Sequence, residues 1–322
     1  VSAAPPADAP IVGRLAPSPT GHLHLGHART FLLAWWHLRA RGGRVLLRIE
    51  DLDRARVRPE LIDECRRDLE WLGLDWDGEA LLQSQDTGPM EAALERLLAD
   101  GRAYACTCSR REIEAARSAP HADQGELRYP GTCRGRWPSP EAAERATGAP
   151  AGLRLAVAPG AVTLQDGLVG SFTHDVAAEV GDFLLARRDG VHAYQLAVVV
   201  DDARTGVTEV LRGDDLLPSA TRQWHLLRAL GLTPPRWFHV PLVVDESGRR
   251  LAKRDADLAL AALRERGVDP RAVVEWVARG IGMAPGRTSA SERCGEFDLA
   301  RVGRAPAVLT GTALAALQAT RA

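Results

Sequence analysis

The chain has 322 residues, 45% of them apolar, and its 41 basic and 42 acidic side chains leave a net charge of −1. This composition can bury a sizeable core and excludes nucleic-acid binding through a global basic field, leaving only local phosphate tracks at clusters such as Arg110–Arg111 and Arg134/Arg136. No run approaches the roughly 18 apolar residues of a membrane span, and no charged stretch precedes an apolar leader, so a cytoplasmic protein without membrane attachment is expected.

Residues 1–10 hold four Ala and three Pro and read as a loose tail. Ile11–Leu15 predicts a short strand running into Ala16-Pro17-Ser18-Pro19-Thr20-Gly21, and Gly26–Arg41 has helical apolar spacing. Val45–Ile49 predicts a second strand that ends in Glu50, Asp51 and Asp53. Pro59–Leu72 then predicts a helix, with Pro in its first turn and Gly73 past its end. A βαβα opening implies a parallel sheet.

From 103 to 150 the pattern changes to a stretch rich in Cys, Arg, Pro and Gly, read as an insertion. Short strands are expected at Leu153–Val157 and Phe183–Ala186, and the apolar run Gln195–Val200 predicts a buried parallel strand. A helix at Ala220–Leu230, a strand at Phe238–Val244 and helices near Leu258–Arg266 and Arg271–Gly280 follow, and the end is poorly patterned. The expected class is α/β: a Rossmann-like parallel-sheet catalytic domain over 11–102 and 151–255, a metal-binding insertion at 103–150 whose remainder runs past 151, and a short helical C-terminal region over 256–322.

Forty of the 41 basic residues are arginine, Asn is absent, and Lys253 is the only lysine. In such a background a retained lysine points to a position that needs a compact charge instead of a planar fork. The five cysteines suit a reduced compartment with a metal site; Cys65 and Cys294 stand apart and read as ordinary thiols.

Two common phosphate-binding patterns are missing, G-x-x-x-x-G-K-[ST] and G-x-G-x-x-G after a strand. Instead, Arg14-Leu15-Ala16-Pro17-Ser18-Pro19-Thr20-Gly21 leads into His24-Leu25-Gly26-His27 at the start of a helix. Two imidazoles there share one side of the loop, Gly26 admits a nucleotide close to the backbone, and helix N-terminal amides favour phosphate. This run resembles the first signature motif of class I aminoacyl-tRNA synthetases, in the form carried by the glutamyl and glutaminyl branch. Arg250-Leu251-Ala252-Lys253-Arg254 is similar to the mobile Lys-Met-Ser-Lys-Ser loop of that family, with only Lys253 strictly retained.

The resemblance implies ATP-dependent activation of an amino acid, with Mg2+ accompanying ATP. His24, Gly26, His27 and Lys253 would hold the phosphates, and Arg14, Ser18, Glu50, Tyr194 and Arg212 would form the amino-acid pocket. Two arginines that can clamp a dicarboxylate and a carboxylate for the substrate ammonium suit glutamate. Only 69 residues follow Lys253, too few for a complete anticodon-binding domain, so the match is to a short branch of the family. Its members activate glutamate without tRNA and transfer it to queuosine at the wobble position of tRNA(Asp). The implied partner is the anticodon stem-loop of tRNA(Asp), and a monomer is expected. A minimal glutamyl-tRNA synthetase charging tRNA(Glu) and a non-catalytic RNA-binding paralogue are the alternatives.

In the insertion, Cys106, Cys108 and Cys133 suit one structural zinc ion (Zn2+). Chemistry alone favours His121 as fourth ligand, because imidazole needs no deprotonation where phenol does. The resemblance to the short branch implies Tyr129 instead.

Overall fold

The computed structural model describes residues 5–6, 8–115, 128–251 and 258–321; His121 and Lys253 lie outside them. In chain order the elements are β1 (Val12–Leu15), α1 (Leu25–Arg39), β2 (Arg44–Ile49), α2 (Pro59–Trp71), β3 (Leu81–Leu82), α3 (Gly88–Ala99), β4 (Ala103–Cys106), α4 (Arg110–Ala115), α5 (Pro140–Thr147), β5 (Gly152–Leu155), β6 (Val162–Asp166), β7 (Gly170–His174), α6 (Val176–Glu179), β8 (Leu184–Ala186), α7 (Tyr194–Arg204), β9 (Glu209–Gly213), α8 (Leu217–Leu230), β10 (Arg236–Val240), β11 (Val243–Asp245), α9 (Leu260–Glu265), α10 (Pro270–Gly280), β12 (Ala307–Leu309) and α11 (Gly311–Ala319).

The strands β1, β2 and β3 pair in parallel, as do β9 and β10. A backbone bond from Thr208 N–H to the Val12 carbonyl (2.9 Å) joins the two ladders, giving the spatial order β3-β2-β1-β9-β10. Both faces of this sheet are covered. Val45, Leu47 and Ile49 enter one buried cluster, with Leu32 and Leu33 of α1 and Val273 and Val277 of α10. Leu46 packs against a second cluster with Leu196 and Val199 of α7 and Leu226 of α8, as alternation along a strand requires. Burial of side chains such as Leu32 and Leu33 is worth about 1.5–3 kcal/mol each.

Three expectations change. Gln195–Val200 is not a strand but lies within α7. An unbroken apolar run has no period to tell a buried strand from a buried helix, and every residue from Gln195 to Asp202 is buried. The strand expected at Phe238–Val244 divides at Pro241, which has no N–H for the ladder: β10 stays in the main sheet and β11 pairs with β12. The poorly patterned end is folded, since Val302, Leu309 and Leu317 join the α1 cluster and Trp36 Nε1 donates to the Ala290 carbonyl at 2.8 Å. In the inserted unit, β4 pairs antiparallel with β5, which pairs with β8. Among the described residues no helix is long and apolar enough to cross a membrane.

Candidate active site

In an open parallel sheet, ligands bind beyond the carboxyl ends of the strands, where neighbouring crossovers diverge. Here β1 lies between β2 and β9, and Arg14, Glu50 and Arg212 stand at or just past the ends of those three strands. They line a cleft of about 360 Å³ together with Ser18, His24, Gly26, His27 and Tyr194. Every described residue expected to bind glutamate or ATP therefore faces one cavity. The chain on either side of 252–257 also borders it: Arg250 and Leu251 line the cleft, and Leu260 N–H bonds the Leu23 carbonyl at 2.8 Å beside a bridge between Ala259 and His24.

His24 is the N-cap of α1, and its imidazole closes a capping box with His27. The Gly26 amide donates to His24 Nδ1 at 3.1 Å, and the His24 amide donates to His27 Nδ1 at 3.1 Å. Both Nδ1 atoms are acceptors, so the proton of each neutral ring sits on Nε2. The rings lie 3.8 Å apart, centroid to centroid. Gly26 serves this arrangement: a Cβ at that position would stand 2.9 Å from His24 Cε1. The glycine makes room for an imidazole, and not only for the nucleotide expected there.

The floor of the cleft is a chain of buried charges. Asp202 on α7 accepts from Arg14 Nε at 3.3 Å and from Arg48 Nη1, and Arg48 Nη2 reaches Glu50 Oε1 at 3.1 Å. Ser18 Oγ donates to the other oxygen of Glu50 at 3.2 Å. Burial alone would raise the Asp202 carboxyl, but Arg48 and Arg14 hold it below the ordinary carboxylate range. The positive charge of Arg14 is thus already shared with a carboxylate.

Arg212 differs. It is 4% exposed, and no carboxylate of a described residue lies within ion-pair distance of it. Its donors go to neutral acceptors: His239 Nε2 at 3.0 Å, the Leu216 carbonyl at 3.3 Å and the Tyr194 hydroxyl at 3.5 Å. A buried guanidinium with no counter-ion among the described residues, opening into a cleft, suits an incoming carboxylate.

The cysteines meet in the inserted unit, where the Sγ atoms of Cys106, Cys108 and Cys133 all lie within 4.8 Å of one another. Cys108 and Cys133 are 3.4 Å apart, and the Tyr129 hydroxyl stands 3.3 Å from Cys106 Sγ and 3.8 Å from Cys108 Sγ. Zinc–sulfur bonds of about 2.3 Å put tetrahedral ligand atoms about 3.8 Å apart, so this donor set fits a zinc ion. Arg154 supports it: its Nε donates to Cys106 Sγ at 3.3 Å while its guanidinium carbon lies 3.8 Å over the Tyr129 ring. Burial pushes the Cys133 thiol up, but bonds from the Thr107 backbone and from Tyr129 bring it down to about 7.

A second, open cleft of about 980 Å³ runs from this cluster to Tyr194, with Arg110, Arg187 and Arg188 along it. Tyr194 lines both cavities and is 37% exposed at the N-terminus of α7.

Sequence reasoning missed Arg48, Arg154, Asp202 and His239, all of which are buried. The signal was present for two of them. A charged residue inside an apolar strand, as Arg48 is, or closing an apolar run, as Asp202 does, must have a partner.

Residues 10–300 match the family of tRNA synthetases class I (E and Q), catalytic domain. The glutamyl-Q tRNA(Asp) synthetase of Nocardia farcinica (strain IFM 10152) is 47% identical over 302 residues, which cover 94% of each chain. The glutamate–tRNA ligase of Azorhizobium caulinodans is 40% identical over 301 residues, covering 92% of this chain and 63% of the ligase. The crystal structure of the glutamate-tRNA synthetase from Elizabethkingia anophelis superposes with a TM-score of 0.80 at 28% identity, covering 95% of this chain and 69% of that one.

Proposed function

The chain belongs to the class I tRNA synthetase (E and Q) catalytic-domain family and to its glutamyl-Q tRNA(Asp) synthetases, and from that we propose that it activates glutamate with ATP and transfers the glutamyl group to queuosine in tRNA(Asp). The observation that carries the glutamate half is Arg212, a buried cation with only neutral hydrogen-bond partners among the described residues. The relatives' names carry the tRNA(Asp) half.

In this reading the side-chain carboxylate of glutamate lies on Arg212 beside Tyr194, and Glu50 takes its ammonium. The Nε2–H groups of His24 and His27 face the phosphates of ATP, which enters with Mg2+. The α-carboxylate attacks the α-phosphorus, a glutamyl-adenylate forms and pyrophosphate leaves, with the ammonium of Lys253 balancing the charge on the phosphates. No group need gain or lose a proton, so orientation supplies most of the rate. A hydroxyl of the modified base then attacks the acyl carbon, an ester forms, and AMP leaves with its phosphate taking up the hydroxyl proton.

The anticodon stem-loop of tRNA(Asp) enters by the second cleft, whose arginines suit a phosphate backbone and which meets the glutamate pocket at Tyr194. One structural zinc is held by Cys106, Cys108, Cys133 and Tyr129, where it would cross-link the inserted unit. The protein acts as a cytoplasmic monomer in this reading.

The test is pyrophosphate exchange with glutamate in the absence of tRNA, followed by transfer of labelled glutamate. Exchange and labelling of queuosine-containing tRNA(Asp), but not of the unmodified transcript or of tRNA(Glu), are expected. Labelling of tRNA(Glu) alone would favour a minimal glutamyl-tRNA synthetase, and no exchange would leave an RNA-binding paralogue.

A further inference from the structure

We infer that His239 and Asp166 are positioning residues that hold Arg212 in place by fixing one imidazole tautomer, on the reading that Arg212 receives the glutamate side chain. A guanidinium has donors only, so the contact from Arg212 Nε to His239 Nε2 at 3.0 Å requires a lone pair on that nitrogen. The ring proton therefore sits on Nδ1, which donates to Asp166 Oδ2 at 2.6 Å. The other oxygen, Oδ1, accepts three backbone N–H groups, from Leu168 at 3.0 Å, Val169 at 2.9 Å and His239 at 3.2 Å. Each donor in this relay has one acceptor, and the order runs one way, from the turn after β6 to the guanidinium. His239 is 0% exposed and Asp166 6%.

The arrangement separates geometry from charge. A carboxylate placed directly on Arg212 would orient it but would compete with the substrate, as Asp202 already shares the charge of Arg14. A neutral imidazole orients without cancelling. The charged groups that act on His239 are Asp166, Arg212 and Asp214; burial and Arg212 hold the ring below its ordinary pKa against the two carboxylates. Asp166 belongs to the β6–β7 hairpin of the inserted unit, so that unit reaches the amino-acid pocket through this relay.

Asp166→Asn tests it with one atom changed. Three backbone donors keep the amide oxygen at the Oδ1 place, so the amide NH2 faces His239 Nδ1, the ring takes the Nε2–H form, and two donors meet at Arg212. The KM for glutamate in pyrophosphate exchange should rise roughly tenfold to a hundredfold while the KM for ATP stays within about twofold. His239→Asn, which keeps a donor for Asp166 and loses the acceptor, should do the same. His239→Gln, whose amide oxygen reaches the Nε2 place, should recover most of the glutamate affinity. Nitrogen NMR of labelled histidine should show Nδ1–H at His239 in the unaltered protein and Nε2–H in Asp166→Asn. An Nε2–H ring in the unaltered protein overturns the inference whatever the activity. Arg212→Gln tells the two possible failures apart. If it raises the glutamate KM while Asp166→Asn and His239→Asn do not, the positioning role is wrong. If it leaves that KM unchanged, the reading of the pocket is wrong.

Discussion

Arg48 and Asp202 form an ion pair beneath the cleft proposed to take glutamate, 2% and 6% exposed, and between them they tie Arg14 to Glu50. Breaking one side of such a pair leaves an uncompensated buried charge. Asp202→Asn, which keeps the shape and removes the charge, should destabilise the fold by about 3–5 kcal/mol and raise the KM for glutamate as Arg14 and Arg48 lose their shared anion. Urea denaturation alongside pyrophosphate exchange measures both, and an unchanged midpoint would show that the pair contributes nothing net.

Glu209 predicts how the fold responds to acid. It is 1% exposed, with His37 Nε2 at 2.8 Å, Arg236 Nη2 at 2.9 Å and Arg41 in contact. Burial raises its carboxyl, but bonds to His37 and Arg41 outweigh that and bring it from 4.5 to about 2. A depressed carboxylate stabilises fully above its unfolded pKa and loses that contribution as pH falls through the folded value. About 3 kcal/mol should therefore disappear between pH 4.5 and about 2. Glu209→Gln should be weaker than the unaltered protein at neutral pH and approach it at the acid end, so parallel stability profiles would contradict the assignment.

How much of this was legible in the sequence follows from which residues carry a local signal. Arg14, Ser18, His24 and His27 sit in one motif, and Glu50 ends a strand of clear pattern, so the cleft was readable from short stretches. Tyr194 and Arg212 came through family likeness, and Tyr194 opens a helix where a strand was expected, because Gln195–Val200 is apolar without a period. Asp166 and His239 were not readable, and Asp202 was readable only as a charge in need of a partner. Their partners lie far along the chain, His239 from Asp166 by 73 residues and Asp202 from Arg14 by 188, and nothing local says which residue the partner is.

The fourth metal ligand is decided by one substitution each way. With Cys106, Cys108 and Cys133 in place, metal analysis should find one zinc per chain, and X-ray absorption should show three sulfur ligands and one oxygen. Tyr129→Phe should lower the zinc retained against a chelator, while His121→Ala should leave it unchanged. The opposite pattern would give the place to His121.

Lys253→Arg keeps the charge and alters its shape. If the phosphates need a compact ammonium, kcat in pyrophosphate exchange should fall roughly tenfold or more, with little change in the KM for glutamate. An unchanged rate would mean that charge alone serves, and the persistence of one lysine among forty arginines would need another cause.

Gly26→Ala sets stability against activity at one atom. Replacing glycine by alanine within a helix favours the fold by roughly 0.5–1 kcal/mol. The added Cβ, however, would lie 2.9 Å from His24 Cε1 and 3.0 Å from its Nδ1, closer than ordinary contact, while Val243 Cβ at 3.8 Å gives no obstruction. The imidazole is the group that must move, and moving it breaks the bond from the Gly26 amide that selects the Nε2–H form. Thermal stability should therefore hold or rise while exchange slows by roughly a hundredfold, the loss typical of one misplaced donor at a charged transition state. A fall in both together would point to steric damage spread through α1, and an unchanged rate would remove the His24 tautomer from the mechanism.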